Sequence, residues 1–312
     1  MKKIFTLTVS PAIDKSTTID HVYPESKLRC SEPVFEPGGG GINVSRGIKR
    51  LGGKSIAIYP QGGATGLLME ELLNRESVEQ MPIETKNWNR ENFIVVEEAT
   101  NHQFRFGFPG PELTEEELQR FIDTATDPAT GTEILVASGS LPQNAPVDFF
   151  AKLAEKAAQN NIKYVVDTSG DSLREVLKKP VFLLKPNLKE LQSIVGGELR
   201  TNEEQEEGAK KLMDNYDVEL LAVSLGPSGA LMASRTEGIK HIPAPSVKKK
   251  STVGAGDSMV AGMVHQISLG KSHLEAVQFG VACGTAATMN PGTELFRKHD
   301  VENLFRWISH QK

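Results

Sequence analysis

The chain is predicted to be an α/β protein with a largely parallel main sheet and a second, smaller sheet outside that core. Strand and helix patterns alternate regularly between residues 134 and 184, the mark of parallel strands joined by crossover helices. Two short β-rich segments interrupt the N-terminal third and are too exposed in pattern to be core strands. A third observation concerns the ligand. Ser251-Thr-Val-Gly-Ala-Gly-Asp257-Ser-Met-Val-Ala-Gly puts two glycines and an aspartate at the entrance of a small-residue, apolar helix.

Taken in order, residues 4–9 form a first strand that Ser10-Pro11 ends, leaving Asp14 beyond its carboxyl end. Residues 16–35 are the first visit to the outer sheet. Glu36-Pro-Gly38-Gly-Gly-Gly41-Ile42-Asn43-Val44 then leads into a helix over 45–51, with Ile42, Val44, Ile48 and Leu51 at helical spacing. Four glycines in a row fit either a floppy loop or a surface where Gly39, Gly40 and Gly41 let backbone amides approach a polyol, with Asn43 to donate and accept. A strand is expected at 55–59 and a helix at 66–74. Residues 93–98 and 102–106 form a hairpin, the second visit to the outer sheet. The two visits span about 16–36 and 88–108, insertions in one domain covering 1–312.

Thr114 with Glu115 to Glu117 opens a helix. Strands at 134–137, 164–167 and 181–184 alternate with helices at 147–159 and 172–177. Ser140, Asp167 and Asn187 fall at the carboxyl ends of these strands, where such sheets bind ligands. A strand at 220–224 turns through Ser224-Leu-Gly226-Pro-Ser-Gly229 into another at 230–234, and helices at 255–269, 274–289 and 301–310 close the chain.

The 312 residues can bury a sizeable core. Hydrophobic content of 38%, with 28 Gly and 17 Pro, excludes a disordered or fibrous chain. The net charge of -5 gives no reason to expect nucleic acid, so any phosphorylated ligand requires a local gathering of Lys and Arg. Lys27, Arg29, Arg90 and Arg105 lie in the two outer-sheet segments, either as separate solvated charges or as a phosphate grip. Cys30 and Cys283 have no metal-ligand spacing and read as free thiols in a reducing compartment. No segment has the length of a membrane span, and a cytoplasmic location is expected.

The first amides of the helix at 255, those of Ala255, Gly256 and Asp257, form an anion hole after Gly254. Asp257 has the wrong charge to bind phosphate. It either caps its helix or accepts the proton of an attacking hydroxyl, with the helix terminus expected to lower its pKa.

Together with Asn187-Leu-Lys-Glu190 and the glycine turn at 226–229, these motifs resemble the ribokinase-like carbohydrate kinases. Lys27-Leu-Arg-Cys30, Phe35-Glu-Pro-Gly-Gly-Gly-Gly-Ile-Asn43, Pro60-Gln-Gly-Gly-Ala-Thr-Gly66 and Val223-Ser-Leu-Gly-Pro227 resemble their phosphosugar branch, the bacterial 6-phosphofructokinases of the isozyme II type. The resemblance covers nearly the whole chain. It implies a three-layer α/β/α sandwich with a small β-sheet lid, and transfer of the γ-phosphoryl group of ATP to O1 of fructose 6-phosphate. Tagatose-6-phosphate kinase and 1-phosphofructokinase are the alternatives that keep every motif, a nucleoside or unphosphorylated-sugar kinase is one that would not need the basic cluster, and a sugar sensor without catalysis is the one from a different class.

By the same resemblance Asp257 is the catalytic base and Gly254, Ala255 and Gly256 the anion hole. Asp14, Gly39, Gly40, Gly41, Asn43 and Ser140 hold the sugar, and Lys27, Arg29, Arg90 and Arg105 the 6-phosphate. Lys185, Asn187, Lys189, Ser224, Gly226, Gly229, Val281 and Thr285 fall on the nucleotide side. Glu190 organises Mg²⁺ through water. Ser251, Val253, Ala287, Asn290, Gly292 and Glu294 match a K⁺ loop. Glu294 stands where a basic residue is expected, and Lys249 where a small polar one is. A homodimer joined through the lids is implied, as is inhibition by a second MgATP near Tyr23, Lys27 and Lys189.

Overall fold

Each strand of the main sheet sends alternate residues to opposite faces, and both faces are covered. The computed structural model describes residues 1–292 and 294–310. The N-terminal elements are β1 (Ile4–Leu7), β2 (Ala12–Ile19), β3 (Val34–Gly38), α1 (Gly40–Arg50), β4 (Ile56–Gln61), α2 (Gly63–Arg75), β5 (Glu79–Glu84), β6 (Arg90–Glu97) and β7 (His102–Gly107). The alternating region follows with α3 (Glu115–Thr126), β8 (Ile134–Ser138), α4 (Phe149–Gln159), β9 (Lys163–Asp167), α5 (Gly170–Val176), β10 (Val181–Leu184) and α6 (Leu188–Val195). The chain continues through α7 (Asn202–Asn215), β11 (Val218–Ser224), β12 (Ala230–Ser234), β13 (Gly238–Ile242), α8 (Ala255–Ser268), α9 (His273–Thr288) and α10 (Lys298–Ser309).

The large sheet runs β13-β12-β11-β10-β9-β8-β1-β4-β5. Every pairing from β5 to β11 is parallel, and β12 and β13 close one edge antiparallel. Phe5, Leu135, Tyr164, Val166, Leu184 and Leu221 face a core shared with α3 to α7. Their neighbours Ile4, Val136, Val165, Leu183 and Leu220 face the opposite core, shared with α1, α8, α9 and α10. Helix, sheet and helix thus form three layers, the ribokinase-like arrangement.

The outer sheet is separate, in the order β3-β2-β6-β7, with β2 and β6 parallel and the other pairs antiparallel. Its root rests on α2 through Ile13, packed with Met69, Leu72 and Leu73. β2 begins at Ala12, earlier than the expected 16, and β3 runs on to Gly38, so the outer sheet reaches the glycine run directly.

Four elements were not anticipated. β5 carries Pro82 and charged ends, as edge strands do, and β13 is an exposed edge. α7 is rich in Glu and Lys, and α6 is only eight residues long. Among the described residues no helix is long and apolar enough to cross a membrane. Cys30 is exposed and Cys283 buried, both as free thiols.

Candidate active site

Gly254 caps α8 in the left-handed region, at φ 71°, which a side chain rarely tolerates. The first bond of the helix runs from Ser258 N to Gly254 O at 2.8 Å. Ala255 N reaches Thr252 O at 3.4 Å, and among the described residues the amides of Gly256 and Asp257 make no backbone hydrogen bond. A Cβ on Gly256 would lie 3.5 Å from Lys185 Nζ. The first turn of α8 therefore faces that cation at van der Waals distance.

Asp257 Oδ2 accepts a hydrogen bond from Asn43 Nδ2 at 2.9 Å, across 214 residues of sequence. Burial pushes the Asp257 carboxyl up to about 6, helped by the negative charge of Asp167 and opposed by Asn43, Lys185 and Arg46. The expected lowering by the helix terminus is therefore overturned. Removal from water outweighs a terminus that stabilises by about 1 kcal/mol.

Asp167, at the end of β9, forms an ion pair with Lys185, just past β10, at 3.2 Å. Lys185 is 6% exposed, and its pKa is raised: burial lowers it, but the charge and hydrogen bond of Asp167 with the charges of Glu190 and Asp257 together outweigh burial. Burial raises Asp167 in turn, against the pull of Lys185.

The glycine run is ordered and closely packed. Asn43 N bonds Gly39 O at 2.8 Å, and Ile42 N bonds Thr8 Oγ1 at 2.9 Å. A Cβ on Gly40 would overlap Ser138 Oγ at the end of β8. Only glycine lets this turn cross the carboxyl ends of β1 and β8, and the crossing aims Asn43, 7% exposed, at Asp257.

Asp14 sits on β2 between Glu36 on β3 and Asn92 on β6, and Asn92 Nδ2 donates to its Oδ1 at 2.8 Å. Burial raises Asp14, while Asn92, Arg105 and Arg90 pull it down. Arg90 Nη1 donates to Phe108 O at 3.0 Å and Nη2 to Ser10 O at 3.2 Å, and burial lowers its pKa against the pull of Asp14. Asp14, Asn92, Arg90 and Arg105 thus form one polar group on the outer sheet. Lys27 and Arg29 are exposed on the 20–33 connection and make no hydrogen bond or ion pair among the described residues. Ser140 is also exposed, whereas Ser138, 2% exposed, and Ser258, beside Asp257, each have a buried Oγ without a partner among the described residues.

Asn187 caps α6 by accepting from Glu190 N at 2.9 Å, and Glu190 Oε2 accepts from Asn187 N at 2.7 Å. This capping box turns the end of β10 into α6 and leaves the Asn187 amide NH₂ on the surface. Burial raises the Glu190 carboxyl. Lys189 is exposed beside it, and Ser224 adjoins through a bridge to Asn187. Gly226 and Gly229 have positive φ in the turn after β11. α9 crosses the first turn of α8 so closely that a Cβ on Gly284 would lie 3.1 Å from Ala255 O, with Thr285 half-buried alongside. Val281 is buried within the apolar core.

The two segments expected to hold K⁺ meet. Ser251 Oγ donates to Gly292 O at 2.9 Å, and Val253 N donates to Ser251 Oγ at 3.2 Å. Asn290 Nδ2 donates to Leu295 O at 3.0 Å, Ala287 is buried, and Glu294 pairs with Arg297 at 3.4 Å.

Four residues of this neighbourhood escaped sequence reasoning as site residues: Arg46, Asn92, Ser138 and Asp167. Asp167 was placed at a strand end without a role. Arg46 lies three residues after Asn43 on the buried helix face, a spacing that could have exposed it. Asn92 and Ser138 are recognisable only once the strand register is known.

An open anion hole, a carboxylate beside it and a polar cradle at the carboxyl edge of a parallel sheet define a small-molecule phosphotransferase. Residues 7–299 match the model of the pfkB family carbohydrate kinases, and the chain belongs to that family. It is 42% identical to ATP-dependent 6-phosphofructokinase isozyme 2 of Escherichia coli (strain K12), covering 99% of this chain and 100% of that protein. It is 33% identical to 1-phosphofructokinase of Bacillus subtilis (strain 168), over 94% and 95% of the two chains. The solved structure of phosphofructokinase-2 from Escherichia coli in complex with potassium is similar, with a TM-score of 0.93 and 41% identity, covering 99% of this chain and 100% of that one.

Proposed function

We infer that this chain transfers the γ-phosphoryl group of ATP to O1 of fructose 6-phosphate, giving fructose 1,6-bisphosphate and ADP. The observation that carries the reading is the Asn43–Asp257 hydrogen bond, which joins the glycine cradle to the anion hole. The identity to the Escherichia coli isozyme over both full lengths supports the choice of sugar.

Asn43 occupies Asp257 Oδ2, which leaves Oδ1 to receive the proton of the sugar O1 hydroxyl. The transition state of phosphoryl transfer is loose, so the proton moves late and the base mainly orients the nucleophile. The amides of Gly256 and Asp257, with Lys185 facing Gly256, receive charge from the transferring phosphoryl group. Asp14, with Gly39, Gly40 and Gly41, holds the sugar hydroxyls. Arg90 and Arg105 grip the 6-phosphate, and the exposed Lys27 and Arg29 join them when the outer sheet closes over the sugar. Asn187, Lys189, Ser224, Gly226, Gly229 and Thr285 line the nucleotide side, with Val281 as the floor beneath it.

Among the described residues no three acidic, His or Cys side chains form a metal cluster. That fits Mg²⁺ carried in by the nucleotide, because this ion keeps several waters and takes phosphate oxygens. Glu190 would hold it through water, and the bound ion supplies neutralising charge on the phosphates. Ser251, Val253, Ala287, Asn290, Gly292 and Glu294 would hold K⁺, mainly through carbonyl oxygens. The Ser251–Gly292 contact draws the two segments together in support of this. Exposed Val34 and Phe106 on the outer sheet, with Phe108 just past β7, support a homodimer joined lid to lid.

The test is steady-state turnover with fructose 6-phosphate, tagatose 6-phosphate, fructose 1-phosphate and fructose at saturating MgATP. The highest kcat/KM is expected for fructose 6-phosphate. Preference for fructose 1-phosphate would place the chain with the 1-phosphofructokinases instead.

A further inference from the structure

Arg46 on α1 is 1% exposed, and its guanidinium is wired on every side. Nε donates to both carboxylate oxygens of Glu76, at 2.9 and 3.0 Å, and Nη2 lies 2.7 Å from Glu76 Oε1 and 3.7 Å from Glu36 Oε1. Nη1 donates to Pro37 O at 3.0 Å and to Asn43 Oδ1 at 3.2 Å. A buried ion pair is weak grounds for stability, since apolar side chains of similar volume often serve as well. The partners of Nη1 suggest another use. A guanidinium can only donate, so it claims the oxygen end of the Asn43 amide and leaves Nδ2 for Asp257. A flipped amide would set NH₂ against the cation and oxygen against the carboxylate. The same guanidinium holds the carbonyl of Pro37, in β3, whose neighbour Glu36 stands opposite Asp14.

We propose that Arg46 is a positioning residue for phosphoryl transfer: it fixes the Asn43 amide, and through it the Asp257 carboxylate, to the root of the outer sheet. The base and the sugar cradle are thereby held in one alignment. This rests on Asp257 being the base. The ionisable groups acting on Asp257 come from several elements: Arg46 from α1, Asp167 from β9 and Lys185 after β10. Glu190 of α6 acts on Lys185. From α9, packed along α8, comes the buried thiol Cys283 opposite Gly262, and from α10 comes Lys298, which acts on His265 near the far end of α8. Glu76 and Glu36 offset the positive field of Arg46.

The experiment compares Arg46→Met, Arg46→Lys and Glu76→Gln with the wild type and Asp257→Asn, in the intact enzyme. Each is measured for kcat, for KM of fructose 6-phosphate and for the pH profile of kcat/KM, alongside Tm. Arg46→Met fills the space without charge. It is expected to lower kcat about 10- to 100-fold, the scale of a misplaced catalytic group, and to move the acid limb to higher pH. Arg46→Lys keeps the charge and should leave the limb in place while kcat still falls, because an ammonium cannot hold Glu76, Pro37 and Asn43 together. Glu76→Gln keeps the guanidinium and removes an offsetting carboxylate, so its limb should move to lower pH. A structural role alone gives lower Tm but wild-type kcat per folded molecule and unmoved limbs, and that result overturns the proposal. Should Arg46→Met not fold, the direction of the Glu76→Gln limb decides. Near-wild-type turnover of Asp257→Asn would remove the base itself, an outcome distinct from failure of Arg46 alone.

Discussion

Asp257→Asn should cost nearly all turnover and yet make the ligand-free protein more stable. Burial lifts this carboxyl from 3.8 to about 6. A carboxylate whose folded pKa is raised favours the unfolded chain once the pH allows ionisation. At pH 4 the folded carboxyl is protonated and the unfolded one roughly half ionised, so only about 0.5 kcal/mol is lost. Between the two pKa values the unfolded chain ionises first, and above about 6.5 the penalty is complete. Two units at about 1.4 kcal/mol each give a penalty of about 3 kcal/mol. Asparagine removes that penalty while preserving the oxygen that Asn43 Nδ2 holds. Thermal and denaturant unfolding of wild type and variant, without ligands, at pH 4 and pH 7.5, would measure it. The variant should gain about 3 kcal/mol, or several degrees of Tm, at the higher pH and little at the lower. In parallel kcat should fall by about 10²- to 10⁴-fold. Equal stability of the two proteins at pH 7.5 would refute the claim that burial controls this carboxyl.

The pH profile of kcat/KM for the wild type should show an acid limb near pH 6, because the base works only when ionised; a limb near the ordinary carboxylate value would contradict the burial of Asp257. Arg90→Ala should raise KM for fructose 6-phosphate roughly 10- to 100-fold with a smaller change in kcat, since a charge-assisted grip on the 6-phosphate acts in both ground and transition states. Gly40→Ala forces a Cβ into Ser138 and should lower Tm and weaken sugar binding together, read by calorimetry and by titration with fructose 6-phosphate. Asp167→Ala strands the buried Lys185 cation and should destabilise by about 3–5 kcal/mol. It also removes the negative charge that raises Asp257, so in the folded fraction the acid limb should move to lower pH.

The alternating half of the chain was legible because its strands are continuous apolar runs between helices of regular length. Strands at 134–137, 164–167 and 181–184 appear within a residue or so of β8, β9 and β10. α7 was missed because its apolar positions are few among Glu and Lys, and β5 because Pro82 interrupts a strand pattern. The glycine-framed motifs were visible because backbone approach demands a residue type. Asn43 and Asp257 could be paired only through the family resemblance, since 214 residues separate them. Val281, named through the resemblance alone, packs its side chain into the core. Asn92 and Arg46 act through register and rotamer, which no local pattern reveals. The pKa of Asp257 departs from the expectation because a helix terminus is visible in sequence, whereas its burial, and then the neighbouring charge of Asp167, are supplied by distant strands and helices.

The direction of that shift bears on catalysis as much as on stability. A helix N-terminus contributes about 0.3–1 kcal/mol, less than one pKa unit, whereas full burial of a carboxylate is worth up to about 3–5 units. Asn43, Lys185 and Arg46 recover part of the difference but not all of it. As the proposed base, Asp257 is consequently more basic than an exposed aspartate and still mostly ionised at pH 7. For a proton that moves late, that compromise favours the step: a carboxylate near 4 would be fully ionised but a poorer acceptor, and one near 8 would be occupied by a proton. The dry environment that strengthens the amide hole is the same one that raises the base. In the proposed reaction, keeping Asp257 out of water serves both halves, at a cost in folding stability that the asparagine variant measures directly.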